Sequence, residues 1–364
     1  MSDWSALPSD LVRSVADRLL AAAGDVDYYM GMRAVCHDWR LAMADPCRCV
    51  TDADLLRFRP RHWIMIHDDE DEDEPVDDGG VIRLFLNVAT GRFLRRRVPL
   101  LRDHVLVAAS DGLLVLGDKK YPHRASVLNP LTGSLVRFAS AIPRLNRVRA
   151  AVTGSEDDPS LSLVFAFRHD PLQRRASMAT YRGHVYLADR DGQIVRFVVT
   201  STQQQQHHHH RHNCHAELID KAPLETVTGG RCGRAFLVAS AGELLLVRLC
   251  HHRRRRAVEV FRVDVERKAP LERVRSIGRR ALFLGGRCLS VDAGELPSID
   301  GDCVYLVPEN GNAASSLRDG SERRVSRFPG VRPVGLVQAL LSYCVFLPDA
   351  KAQLHSVYRT IVTD

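Results

Sequence analysis

Lysine is scarce in this chain: five residues against 46 arginines in 364. Nearly every cationic side chain is therefore a planar guanidinium, the group that pairs with carboxylates and phosphates in a bidentate fashion. Long apolar runs are missing as well. The longest, Val334 to Pro348, is interrupted by Gln338 and Ser342 and is shorter than the ~20 residues a membrane-spanning helix needs. It predicts a buried terminal element, with no membrane partner. Nine cysteines are scattered without a C-x-x-C pair, and the odd count argues against a disulfide framework as well as a zinc ribbon. No N-x-[ST] sequon occurs, and Met1-Ser2-Asp3 leads straight into a polar segment. A reducing compartment, cytoplasmic or nuclear or both, is the expected location. Catalytic signatures are absent too: there is no G-x-G-x-x-G, phosphate loop, G-x-S-x-G elbow or H-E-x-x-H. We expect no catalytic residue, no cofactor and no metal, hence a protein that is not an enzyme.

What is present begins at the N-terminus. Pro8 fixes φ and suits a helix entrance, and Ser9 or Asp10 is placed to cap it. Leu11, Val15 and Leu19 recur at i, i+4 and i+8, with Val12 and Leu20 widening the stripe, so a helix with one apolar face is predicted. Gly24-Asp25 is a stop-and-restart signal, with Asp25 or Asp27 as the next cap. Tyr28, Met32, Val35, Cys36 and Trp39 again fall at spacings of three and four. Helices this short cannot bury so much apolar surface by themselves. Either they pack on the rest of the chain or they offer a surface to a partner.

Charge is unevenly distributed. The net +7 includes a run, Asp68 to Asp78, with nine carboxylates and no base. The remainder is strongly basic, which favours acidic partners. Arg95-Arg96-Arg97 and Arg253 to Arg256 are the densest basic runs, and no aromatics interleave with them as a single-strand binder requires. Nucleic acid is the less favoured partner. Two low-complexity stretches read as solvated loops, Asp68 to Asp78 and Gln203 to His215. The second carries clustered imidazoles, but a homopolymeric His run lacks the fixed spacing and supporting hydrogen bonds of a metal site.

From about residue 80 the period changes. Val81 to Val88 and Arg92 to Val98 flank Ala89-Thr90-Gly91, and His104 to Ala109 and Leu113 to Gly117 flank Ser110-Asp111-Gly112. The same grammar recurs around Pro130 to Gly133, around Asp189 to Gly192 and around Ser240-Ala241-Gly242. Short β-rich runs punctuated in this way are hairpins. No helical period intervenes up to about residue 330. The fold class is mainly β, and roughly 280 residues of hairpins at about 40–50 per blade predict a propeller of six or seven blades.

Two resemblances add to this reading. Leu7-Pro8 at the start, the helical stripe, and Val35-Cys36-His37-Asp38-Trp39 at the finish together resemble the F-box. This is the helical module that docks a substrate receptor onto the Skp-family adaptor, and through it the cullin, of a cullin-RING (SCF-type) ubiquitin ligase. The resemblance implies that Leu7, Pro8, Leu11, Val15, Leu19, Val35, Cys36 and Trp39 contact the adaptor or form the small core behind those contacts. His37 departs from it, since many F-boxes have a basic residue directly after the Cys. Further on, Asp111-Gly112-Leu113-Leu114, Asn129-Pro130-Leu131-Thr132-Gly133, Tyr181 to Tyr186, Arg280 to Gly285 and Cys303 to Leu306 look like landmarks of the KIB-type β-propeller, which follows an F-box in a large plant family. Leu113 stands where that family commonly has Trp, and the segment after Pro333 does not match its usual end.

The implied organisation is an F-box at 1–50, an acidic linker at 51–80, a propeller at 81–333 and a terminal segment of unassigned place at 334–364. The implied function is substrate recognition for ubiquitination, with an acidic or phosphorylated protein as target. A scaffold without a ligase role, or a basic nucleic-acid-associated protein, is the alternative. Few lysines would leave such a subunit with few acceptors for its own ubiquitination.

Overall fold

Among the described residues four short α-helices come first, each started by a different group. In this computed structural model, which describes residues 7–23, 25–48, 51–66, 81–142, 149–154, 161–166, 177–189, 193–200, 213–221, 231–252, 255–266, 271–306, 313–325 and 336–345, α1 spans Ser9–Ala23. The Val12 N–H donates to the Pro8 carbonyl at 3.0 Å. Pro8 thus precedes the first turn, and Ser9, expected as a cap, already lies inside it. The Asp25 carboxylate accepts from the Asp27 and Tyr28 N–H groups at the head of α2 (Val26–Arg33), as the sequence predicts. Cys36 Sγ accepts from the Trp39 N–H at the head of α3 (His37–Ala42), and Thr51 caps α4 (Asp52–Arg57). Each such cap satisfies a backbone donor that the helix leaves without a partner.

Residues 51–66 are not linker. They form α4 and a first strand, β1 (Trp63–Ile66), buried along its whole length. The acidic run itself lies outside the described residues.

Strands follow in sheets of up to five. β1, β2 (Val81–Asn87) and β3 (Phe93–Val98) form the first. The second holds β4 (His104–Ser110), β5 (Leu113–Asp118), β6 (Arg124–Leu128) and β7 (Leu135–Ala141). β8 (Arg149–Thr153) and β9 (Ser162–Ala166) make a two-stranded ribbon. The next sheet contains β10 (Ser177–Tyr181), β11 (His184–Ala188), β12 (Gln193–Thr200) and β13 (Asn213–Lys221). It is followed by β14 (Arg231–Ser240), β15 (Glu243–His252), β16 (Arg255–Val263) and β17 (Glu272–Val274). The last has five strands in the order β19-β18-β20-β21-β22, from β18 (Arg280–Leu284), β19 (Cys288–Asp292), β20 (Cys303–Leu306), β21 (Ala313–Ser316) and β22 (Glu322–Arg324).

This is a β-propeller, but the blade count differs from six or seven. Among the described residues five sheets have three strands or more, with the β8–β9 ribbon between the second and the next. Dividing length by blade size overcounts because insertions take up chain. Of the His-rich stretch expected as a loop, the residues up to 212 lie outside the described residues, while Asn213 to His215 belong to β13.

The hairpins sit where the turn residues place them. At the β4–β5 turn Asp111 and Gly112 both have positive φ, 46° and 79°, the two-residue geometry whose twist matches antiparallel strands. Gly112 is also required by contact: a Cβ there would lie 2.0 Å from the Pro60 carbonyl oxygen. In the last sheet β18 pairs with β20 in parallel, Ala281 opposite Cys303 through Leu284 opposite Leu306. The Phe283 and Tyr305 rings stack at 4.5 Å.

The terminal segment also has a place. α5 (Leu336–Val345) packs on β1 and β18. Ala339, Leu340, Leu341 and Cys344 are buried with Ile64, Leu86, Phe283 and Tyr305 in one cluster. Gly285 permits the approach, since a Cβ there would meet the Cys344 carbonyl at 2.3 Å. The buried terminal element expected over 334–348 is this helix.

Candidate functional site

The helical module has two faces with opposite fates. Val12, Ala16, Val26, Tyr29, Ala42 and Met43 are buried against Trp63, Phe85, Leu106 and Leu114 of the first two sheets. At the centre of the junction is Asp25, 2% exposed. Besides capping α2, its carboxylate accepts from Trp63 Nε1 at 3.4 Å, Asn87 Nδ2 at 3.3 Å and Arg92 Nη2 at 3.2 Å. Arg92 also pairs with Asp27 at 2.9 Å and lies over the Tyr28 and Trp63 rings. Arg96, from the basic run now placed in β3, pairs with Asp27 at 3.0 Å. Asn129 donates to the Phe58 carbonyl at 2.7 Å, and Ser134 to the Pro46 carbonyl at 2.6 Å. Helices and propeller are therefore joined by packing and by paired charge.

The other face is open and apolar. Leu11, Val15, Tyr28, Val35 and Leu41 are each about half exposed or more, Leu41 reaching 72%. Among the residues expected at an adaptor contact, Leu11, Val15, Val35 and Pro8 lie on this outer surface, and Leu19 is half-buried. Leu7 and Trp39 instead pack partly on the junction core, and Cys36 is engaged as the α3 cap. Leu41 is exposed as well and was not in the expected set; nor was Tyr28, whose half-exposed ring lies against Arg92 at the edge of the junction. The helical period marks the α1 residues as apolar, but which side turns inward depends on the sheets. The buried line is Val12–Ala16, one position on from Leu11–Val15.

A second candidate is the channel through the propeller. Strands from each of the six sheets among the described residues, β1, β4, β8, β10, β14 and, in the last, β19 with the first residue of β18, line a cavity of about 320 Å³. Hydroxyls link the inner strands. Ser110 and Thr180 Oγ atoms lie 3.3 Å apart, the Val152 N–H donates to Ser110 at 3.3 Å, the Leu237 N–H donates to Ser177 at 2.9 Å, and Ser240 and Ser290 are 2.7 Å apart. Arg61, His62, Arg280 and Arg287 also face the cavity, with Asp111 as the one carboxylate in its lining. Asp111 is held by Arg59, whose guanidinium lies 3.3 Å from it. Arg59 is almost fully buried, and burial lowers its pKa against the opposing pull of Asp111.

A larger hollow of about 640 Å³ over the last blade is lined by Arg279, Asp300, Arg318, Asp319 and Arg323 among others. Its principal charges pair with their neighbours, Arg323 with Asp300 and Arg279 with Asp292 and Glu295. Among the described residues no cluster of three or more His, Cys, Asp or Glu side chains could hold a metal. No helix of the described residues is long and apolar enough to cross a membrane.

No curated protein matches this chain. The KIB1-4 beta-propeller family matches residues 85–329. That span runs from β2 to just beyond β22 and includes each of the turn and strand landmarks noted in the sequence. With two thirds of its length so matched, and inner strands arranged around a common channel, the chain belongs to the KIB1-4 β-propeller family.

Proposed function

We propose that this chain is the substrate-recognition subunit of a cullin-RING ubiquitin ligase. The outer face of α1–α3 docks a Skp-family adaptor, the propeller holds a protein target, and the chain itself catalyses nothing. Its contribution is proximity, which turns an encounter between target and charged enzyme into a near-intramolecular one. The supporting observation is where the apolar surface lies. Of the eight large hydrophobics exposed among the described residues, five are Leu11, Val15, Tyr28, Val35 and Leu41. An apolar concentration of that kind marks an interaction surface, and the module carrying it is fixed to the propeller by its opposite face.

Replacing Leu11 and Val15 by Glu tests the reading. Both side chains are about half exposed, so the fold should persist by circular dichroism. Anchors of this type contribute about 2 kcal/mol or more each, so co-purification with the adaptor should fall at least roughly tenfold. Undiminished adaptor capture by the double variant overturns the docking.

A further inference from the structure

We propose that the propeller channel is an anion site in which Arg280, flanked by Arg61 and His62, receives a phosphate group. The inference rests on the channel alone and not on adaptor docking.

The argument starts from Arg280. Its Nε and Nη2 donate to the Ser290 hydroxyl at 3.1 and 3.0 Å, and it has no ion-pair partner among the described residues. Asp292, its cross-strand partner in the β18–β19 ladder, is already engaged by Arg279 at 3.2 Å and by the Gly294 N–H at 2.9 Å. Arg280 is thus a half-buried cation held by a neutral oxygen. Burial lowers its pKa, and Asp292 compensates only at longer range. A cation taken out of water without a partner raises the energy of the empty site, and an incoming anion removes that penalty.

Three neighbours point the same way. The His62 ring has no hydrogen-bond partner among the described residues. Its pKa is lowered by burial first, then by Arg61 and Arg280 against the opposite effect of Asp25. The ring therefore lies within the field of two arginines. Arg287 adds a third guanidinium to the lining, at the far end of the β18–β19 hairpin. The lining carboxylate, Asp111, is held by Arg59. The contrast with the larger hollow is one of charge balance: there the principal arginines have acidic partners, and here Arg280 does not.

The chemistry selects the ligand class. Several guanidiniums around one cavity suit an oxyanion of more than one charge, because Arg donates in a planar fork. The inner-strand hydroxyls of Ser110, Thr180 and Ser290 supply neutral hydrogen-bonding groups around it. A volume of about 320 Å³ is at the small end of ligand sites, roughly 300–1,000 Å³. It suits one phosphate group with little attached, either a free small phosphate or the phosphorylated side chain of a target.

The experiment uses the full chain titrated with inorganic pyrophosphate at constant ionic strength, followed by calorimetry. We expect saturable 1:1 binding. Arg280→Gln keeps a donor for Ser290 and removes the charge. It should weaken binding by roughly tenfold or more, while its melting temperature without anion stays equal to or above that of the parent. Arg324→Gln, on exposed β22, should leave affinity unchanged. Should Arg280→Gln fail to fold, Arg61→Gln carries the same prediction at an exposed position. A phosphoserine peptide that binds more tightly than pyrophosphate identifies a protein-borne group, and equal or weaker binding identifies a free small anion. The absence of saturable binding by either ligand overturns the proposal. So does an Arg280→Gln protein with unchanged affinity and a lowered melting temperature, because Arg280 is then a structural clamp. Adaptor capture should be unaffected by Arg280→Gln, so this proposal and the docking reading fail separately.

Discussion

Asp25 and Arg280 are both charges withdrawn from water, and they differ in what surrounds them. Asp25 is 2% exposed and accepts hydrogen bonds from two backbone N–H groups, an indole, an amide and a guanidinium. Arg280 is half-buried and donates to one serine hydroxyl. A buried charge with a complete set of partners holds parts of a molecule together, because removing it strands every donor at once. A buried charge with an incomplete set adds nothing to folding and is available to a ligand. The helix–propeller junction is built in the first way and the channel in the second.

The comparison breaks most visibly at Asp25. Asp25→Ala leaves Trp63 Nε1, Asn87 Nδ2 and Arg92 without their shared acceptor and removes the α2 cap. A loss of about 3–5 kcal/mol is expected by urea denaturation. A loss below about 1 kcal/mol would mean that the junction rests on apolar packing alone. Arg92→Met removes one of the donors, with it the pair to Asp27 and the guanidinium that lies over Tyr28 and Trp63, and leaves Asp25 its other partners. The expected loss is smaller, about 1–3 kcal/mol, the range for a hydrogen bond to a charged group.

The turns show how much of this was legible in the sequence. Asp111-Gly112, Asn129 to Gly133 and Ala241-Gly242 combine small or polar residues with positive φ, and such local chemistry is readable from a single chain. β1 was hidden because Trp63–Ile66 is buried on both sides and shows no alternation. The parallel pairing of β18 with β20 was hidden for another reason, since register between distant segments leaves no local trace. The open face of the helices was legible as apolar residues, not as a direction. The channel was not legible at all. Arg280 and His62 are 218 positions apart, and only ring closure brings them to one cavity.

Acid sharpens the contrast further. Burial and the two arginines set the pKa of His62 in the folded chain below its ordinary value, with Asp25 opposing. The unfolded chain therefore takes up more protons once the pH falls below about 6.5. Stability from this group should be constant above that pH, decline below it, and level off past the lowered folded value. The measurement is a series of urea midpoints at constant ionic strength, against His62→Gln, in which this component should vanish. Bound pyrophosphate should reduce the decline, since an anion favours the protonated ring. The smallest effect is expected at Arg280 itself. Arg280→Gln without anion should change stability by less than about 1 kcal/mol or raise it slightly, the reverse in kind of Asp25→Ala.

The position of α5 has a consequence for how the molecule is made. It is synthesised after every strand it covers, yet its partners include β1, among the first. The emerging chain can assemble its helices on the opening sheets, because that cluster draws on residues up to Leu135. The apolar surface of Ile64, Leu86 and Phe283 must wait, exposed, until the helix arrives. A chain that stops short of Leu336 would leave the apolar surface of Ile64, Leu86 and Phe283 uncovered, and an exposed seam of that kind favours sticking to other chains.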